Sequence, residues 1–180
     1  ISSSRNLPIT SSGEEIFNRI RAPSGSGFAL STAANTGTAL VSGASLSGYN
    51  GHTYAINVSA GPTYQVFDST ADPAHASPIT PTVTTSGSDT TLSFGGVSMT
   101  LTGTPAAGDS YSLSTVASTF DVLGNFANAL NSGNDKVNRF AVTQTIAGMD
   151  ASQESINQVR SGVGSRMVEV ETQQNINGDL

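Results

Sequence analysis

With 180 residues the chain can bury a sizeable core, and with 36% hydrophobic but only 11% charged residues it must draw its polar surface from Ser, Thr, Asn and Gly. A formal net charge of −6 has the wrong sign for neutralising phosphates, which argues against nucleic acid or an anionic membrane as a partner. The lack of cysteine removes disulfides, thiolate metal sites, iron-sulfur clusters and thiol nucleophiles together. No apolar run approaches the ~18 residues of a membrane span, and no basic-then-apolar leader opens the chain. A first residue of Ile rather than Met points to a fragment of a longer protein.

In chain order, residues 1–22 read as a connecting segment, 23–116 as an outer β domain and 117–180 as part of a helical domain. The β part is punctuated by Gly, Ser, Thr and Pro. Within it Tyr54 to Val58, Thr63 to Phe67 and Thr91 to Phe94 alternate with period two, as half-buried antiparallel strands do. Between Leu92 and Leu101 the pair Gly95-Gly96 can supply the positive φ angles of a tight hairpin. Leu92 with Phe94, and Val97 with Met99 and Leu101, would then share faces. Gly103 to Asp109 reads as a turn leading into a strand from Tyr111 to Leu113.

Near Thr115 the period changes to that of a helix. Ser118 with Asp121 three residues later fits a capping box, the apolar stripe Phe120, Leu123, Ala127, Leu130 follows, and Gly133 ends it. A longer pattern begins near Asp135. Val142, Met149, Ile156, Val163 and Val170 recur every seventh residue, with Ile146, Val159 and Met167 on the same side. Such a heptad seam, about forty residues long, would extend on the order of 60 Å. Polar residues flank it, and Gly148, Gly162 and Gly164 each cost about 1 kcal/mol relative to Ala, so the helix needs a packing partner to be ordered. Gly162 and Gly164 also leave open a break into two helices. The fold class expected is α+β: an antiparallel β domain joined to a C-terminal region of one short and one long helix.

Little here points to catalysis. His52 and His75 lie in loop-like contexts, with no second His at helical spacing and no carboxylate cluster beside them in sequence. No Gly-x-Ser-x-Gly elbow is present. Asp109, Asp150, Glu154, Glu169 and Glu171 are scattered, and Asn57-Val58-Ser59, a glycosylation-like triplet, sits inside a strand. The chain is therefore expected to be a structural or assembly protein without enzymatic activity or cofactor. The residues expected to carry assembly or helix packing are Val142, Ile146, Met149, Ile156, Val159, Val163, Met167 and Val170, with Arg160 and Arg166 as polar contacts. They would serve an intramolecular core, a contact between subunits, or both. The rival reading is an extracellular carbohydrate-binding or adhesin module on a helical stalk, with Tyr49, Tyr54, Tyr64 and Tyr111 as an aromatic platform.

Several motifs in one order resemble the bacterial flagellar hook-associated protein 3 family, the hook-filament junction proteins. They are Gly13-Glu14-Glu15-Ile16-Phe17, Asn35-Thr36-Gly37-Thr38, Tyr54-Ala55-Ile56, Tyr64-Gln65-Val66-Phe67-Asp68 and the run from Phe94 to Asp109. Phe120-Asp121-Val122-Leu123 and Arg160 to Met167 follow, the latter resembling the family's C-terminal helix signature. The Gly-Thr-Pro-Ala-Ala-Gly-Asp turn is shared with hook-associated protein 1, whereas its passage through Phe120 to Leu123 into the terminal helix favours protein 3. The resemblance implies export through the flagellar type III apparatus and a place in a ring of subunits at the hook-filament junction. The partners implied are hook-associated protein 1, flagellin, further copies of the chain and an export chaperone. It also implies that the long N-terminal helices and the extreme C-terminal segment of the family are missing here.

Overall fold

The computed structural model describes residues 12–61 and 63–178. A single-turn helix α1 (Gly13–Phe17) and a short strand β1 (Ile20–Arg21) lead into eight strands, β2 (Phe28–Ser31), β3 (Leu40–Ser45), β4 (Tyr54–Ser59), β5 (Thr63–Asp68), β6 (Thr82–Ser86), β7 (Asp89–Phe94), β8 (Val97–Thr102) and β9 (Ser110–Ser114). The short β10 (Val116–Ala117) precedes α2 (Thr119–Ser132) and α3 (Asp135–Gly178). This is the expected α+β class.

The strands form two four-stranded antiparallel sheets, ordered β2-β9-β4-β5 and β3-β8-β7-β6. Their inner faces share one buried cluster, because alternation along each strand sends the apolar residues to one side. Tyr54, Ile56 and Val58 of β4 meet Leu92, Phe94, Val97, Met99 and Leu101 of β7 and β8 there. The expected hairpin is present: Gly95 and Gly96 take φ of 49° and 76°, Phe94 pairs with Val97, and Leu92 pairs with Met99. A side chain at Gly96 would also strike the Gly48 carbonyl, 2.6 Å from its Cβ position.

One buried carboxylate ties the loops at the end of this sandwich. Asp109 is 1% exposed. It accepts hydrogen bonds from Thr36 N at 2.8 Å, Gly37 N at 3.2 Å and Ala106 N at 2.8 Å, so the Asn35 to Thr38 loop is clamped to the Gly103 to Asp109 turn. Asn35 completes the clamp by exchanging hydrogen bonds with Ser110 N and O at 2.8 and 2.9 Å. Only glycine fits at position 37, where a Cβ would lie 2.4 Å from Asp109 Oδ2. Both loops belong to the motifs that carried the family resemblance.

The two helices form a layer on the outside of the sheets. Ser118 Oγ accepts from Phe120 N and Gly133 takes φ of 63°, so α2 begins and ends where its sequence signals placed it. Asn134 Oδ1 accepts from Lys136 N and Val137 N and starts α3, which runs antiparallel to α2 and is continuous through Gly162 and Gly164. Its 44 residues extend about 66 Å at 1.5 Å each. Asn125 fixes α2 to β2 by accepting from Ser31 N and donating to Ser31 O, at 2.7 and 2.9 Å. Gln144 accepts from Ala29 N, and Lys136 pairs with Asp89 at 2.6 Å. Pairing of β1 with β10 completes the junction, and Ile20, Phe28, Leu30, Ala117 and Val122 pack there with Ala147 and Ala151. No helix among the described residues is long and apolar enough to cross a membrane.

Burial opposes ionisation of Asp109, but the backbone donors of Ala106, Thr36 and Gly37 outweigh it and hold the carboxyl below its ordinary pKa. Its contribution to stability is therefore complete above about pH 4 and is lost as pH falls through the lower folded value. We expect Asp109→Ala, which orphans three part-buried donors, to cost about 1–3 kcal/mol in urea denaturation at pH 7. The same substitution should flatten the acid limb of the stability curve; an unchanged limb would contradict the clamp.

Candidate assembly interface

The way α2 meets α3 decides which faces remain available. Val122 of α2 packs against Gly148, where a Cβ would come within 2.9 Å of Val122 Cγ1, and Thr119 meets Ser152 Oγ at 2.8 Å. Towards the connecting turn Ala129 packs with Val137, Ala141 and Phe126. The α3 residues against α2 are thus Val137, Ala141, Gly148 and Ser152, at helical spacing and mostly small. Close approach needs that smallness, so Gly148 is a packing requirement rather than only a cost to the helix.

This arrangement decides which face of α2 is buried. Thr119, Val122 and Ala129 are its buried residues, while Phe120, Leu123 and Leu130 of the apolar stripe are exposed. Val122, half-buried Phe126 and Ala129 follow the same i, i+4, i+7 spacing on a face turned by roughly 110° from it. The two stripes compete in the sequence, and packing against small residues on α3 selects the thinner one.

The heptad residues of α3 face outward as well. Val142, Ile146, Met149, Ile156, Val163, Met167 and Val170 are between 39% (Ile156, Val170) and 67% (Met167) exposed. Val159 is partly buried, Arg160 is exposed, and Arg166 is partly buried, with its Nε donating to Gly162 O at 3.1 Å. Within the chain, then, these apolar positions do not form the core between α3 and the sheets. Phe140, Gln144, Ala147 and Ala151 point to the sheets, and at 3.6 residues per turn the line from Val142 to Ile156 lies on roughly the opposite side. The outer stripe of α2 lies opposite its own sheet contacts by the same geometry. The two stripes flank the groove between the antiparallel helices, and Phe17 of α1 extends the apolar surface at one end, its ring centroid 6.3 Å from that of Phe120.

The other candidates have settled places. Tyr54, Tyr64 and Tyr111 are buried in the sandwich, and burial pushes the Tyr49 phenol up to about 12. The aromatic platform of the rival sugar-binding reading is therefore not formed by these residues. His52 Nδ1 meets Asp68 at 2.7 Å, and His75 stacks on Phe67 at 4.9 Å with Nε2 2.8 Å from Ser69 Oγ, so both histidines brace the loop after β5. A cleft of about 330 Å³ between α1, β1 and α3 sets Arg19 and Arg21 beside Glu15 and Glu154 and opens to solvent. Among the described residues no group of three or more His, Asp or Glu could hold a metal ion.

The chain is similar to flagellar junction proteins. The solved structures that it matches include FlgL from Xanthomonas campestris, at 27% identity and a TM-score of 0.48, over 91% of this chain and 55% of that one. They also include the flagellar junction protein FlgL from Legionella pneumophila, at 28% identity and a TM-score of 0.43, over 93% of this chain and 56% of that one. A flagellar hook-associated protein-3 from Legionella pneumophila matches at 26% identity and a TM-score of 0.45, over 99% of this chain and 59% of that one. The chain thus spans little more than half the length of these proteins. No family model and no curated protein matches it.

The packing geometry separates two glycines that composition treats alike. At Gly164 a Cβ would meet nothing within 4 Å, so Gly164→Ala should raise stability by up to about 1 kcal/mol through helix propensity. Gly148→Ala should instead lower it by about 1 kcal/mol or more, because buried Val122 must move. Thermal denaturation of both variants checks this, and a stabilised Gly148→Ala would contradict the close approach.

Proposed function

We propose that the chain is a structural segment of a hook-filament junction subunit of the bacterial flagellum, without catalytic activity. The observation that carries this reading is the outward-facing heptad seam of α3: a rod of 44 residues whose repeating apolar positions are exposed. Exposed apolar surface in a continuous stripe is the mark of an interaction site. A heptad stripe in particular calls for another helix. The order of sequence motifs resembling hook-associated protein 3 supplies the identity of the assembly.

In this reading residues 23–116 are an outer β domain and 117–180 part of a helical domain turned towards the tubular core, with residues 1–22 connecting. Val142, Ile146, Met149, Ile156, Val159, Val163, Met167 and Val170 make apolar contacts with neighbouring helices, and Arg160 and Arg166 make polar ones. The full protein is exported, associates with an export chaperone, and joins copies of itself in a ring between hook-associated protein 1 and flagellin. Its work is mechanical, linking two segments of different stiffness. A chain without disulfides suits passage through a narrow export channel.

Ile156 is exposed, so Ile156→Asp should leave the melting temperature of this chain nearly unchanged. In the full-length protein the same substitution should block junction formation, giving cells that secrete flagellin but build no filament. Normal filaments from that variant, seen by electron microscopy, would overturn the reading.

A further inference from the structure

The connection between β3 and β4 contains Asn50-Gly51, one of two Asn-Gly pairs in the chain; the other, Asn177-Gly178, ends α3. Asn50 Oδ1 accepts from His52 N at 3.0 Å and from the Tyr54 hydroxyl at 3.2 Å. The first bond closes an Asx-turn around Gly51, so Asn50 Cγ and the Gly51 nitrogen belong to one small hydrogen-bonded ring. The second comes from a fixed donor, since Tyr54 is 2% exposed and its ring meets Phe94 edge-on at 5.2 Å. Gly51 is exposed at a φ of 80°, carries no Cβ to shield its nitrogen, and its N–H donates to no group among the described residues. Two donors on one carbonyl oxygen polarise it and stabilise negative charge that develops there. Such charge develops when a nitrogen attacks the carbonyl carbon.

We propose that Asn50-Gly51 is a self-modification site, at which the Gly51 nitrogen attacks Asn50 Cγ and the side-chain amide becomes an aspartyl or isoaspartyl linkage. The Gly51 N–H gives its proton to water, the nitrogen bonds to Cγ, and the oxyanion on Oδ1 is held by His52 N–H and the Tyr54 hydroxyl. Collapse of this tetrahedral centre breaks the Cγ–Nδ2 bond, and the nitrogen takes a proton from water and leaves as ammonia. One water then opens the cyclic imide. Cleavage between the Gly51 nitrogen and Cγ gives aspartate, and cleavage between that nitrogen and the Asn50 main-chain carbonyl carbon gives isoaspartate. The balance is one water in and one ammonia out, with no oxidant or reductant. Aspartate keeps both donors and adds a negative charge to a chain already at −6. Isoaspartate also inserts Cβ into the main chain between Tyr49 and His52. There the Tyr49 hydroxyl donates to His52 O, His52 Nδ1 meets Asp68 at 2.7 Å, and the Gly48 carbonyl lies against Gly96. A lengthened turn must release part of this set, so the modification loosens one end of the sandwich. The proposal is independent of the assembly reading.

The test incubates the 180-residue chain at neutral pH, native and unfolded in urea, and follows residue 50 by peptide mass spectrometry with enzymatic methylation to count isoaspartate. Native Asn50 should convert at least as fast as in the unfolded chain. Tyr54→Phe, which keeps the ring and removes the donor, should slow native conversion about threefold or more and leave the rate in urea unchanged. Slower conversion in the native chain than in urea would show that the turn protects the amide and would overturn the proposal. Equal native rates in Tyr54→Phe and the parent chain would overturn it as well. The comparison within the parent chain decides the matter by itself if Tyr54→Phe fails to fold.

Discussion

The close approach of α3 to α2 at Gly148 and Val122 is the constraint on which the rest of the helical layer depends. A glycine and a serine on α3, facing a valine and a threonine on α2, bring the two backbones together and leave little volume between them. The thin face of each helix is thereby used for internal packing, while the bulkier one, with Phe120, Leu123 and Leu130 on α2 and Val142, Ile146 and Met149 on α3, is turned outward. A bulky inner face would have pushed the helices apart and consumed the residues that now make the outer surface. Internal packing and exposed apolar surface are divided between different faces of the same two helices.

That division explains what sequence alone could and could not reveal. Helix ends were legible, because Ser118 and Gly133 act through local chemistry, a side-chain acceptor and a left-handed φ that need no distant partner. The hairpin at Gly95-Gly96 was legible for the same reason. The buried face of α2 was not, since stripes at helical spacing occur on both sides and hydrophobicity favours the one with Phe and Leu. The choice was made by small residues some twenty-five positions downstream. The seam of α3 is apolar and periodic in sequence, but periodicity alone does not say whether such a face packs within the chain, and in the structure it is exposed.

The β sandwich shows a different kind of long-range dependence. Its core follows from alternation, so Ile56, Leu92 and Met99 could be placed inside from spacing alone. The Asp109 clamp could not. An aspartate after a Gly-Thr-Pro-Ala-Ala-Gly turn looks like an ordinary polar turn residue, and its role depends on Thr36 and Gly37, more than seventy positions away in sequence. Once the clamp is seen, two motifs that carried a family resemblance as mere letters acquire a shared cause. Gly37 lets the backbone come close, and Asp109 satisfies the amides that this closeness partly removes from water.

The continuous rod of α3 divides into a half packed on the folded chain and a half that extends beyond α2. Its first half is anchored: Lys136 to Asp89, Gln144 to β2, and Gly148 and Ser152 to α2 hold it against the sandwich. Its second half contains Gly162 and Gly164 and presents Val163, Met167 and Val170 to the outside, so local propensity is weakest where exposed apolar surface is continuous. A helix built this way is ordered from its anchored end, and its far end gains most from being covered. The straight α-helix drifts about 20° per heptad relative to the seam, so over four heptads the apolar line turns by roughly 80° around the rod. A partner that follows the line must wind around α3 from the groove beside α2 to its far end.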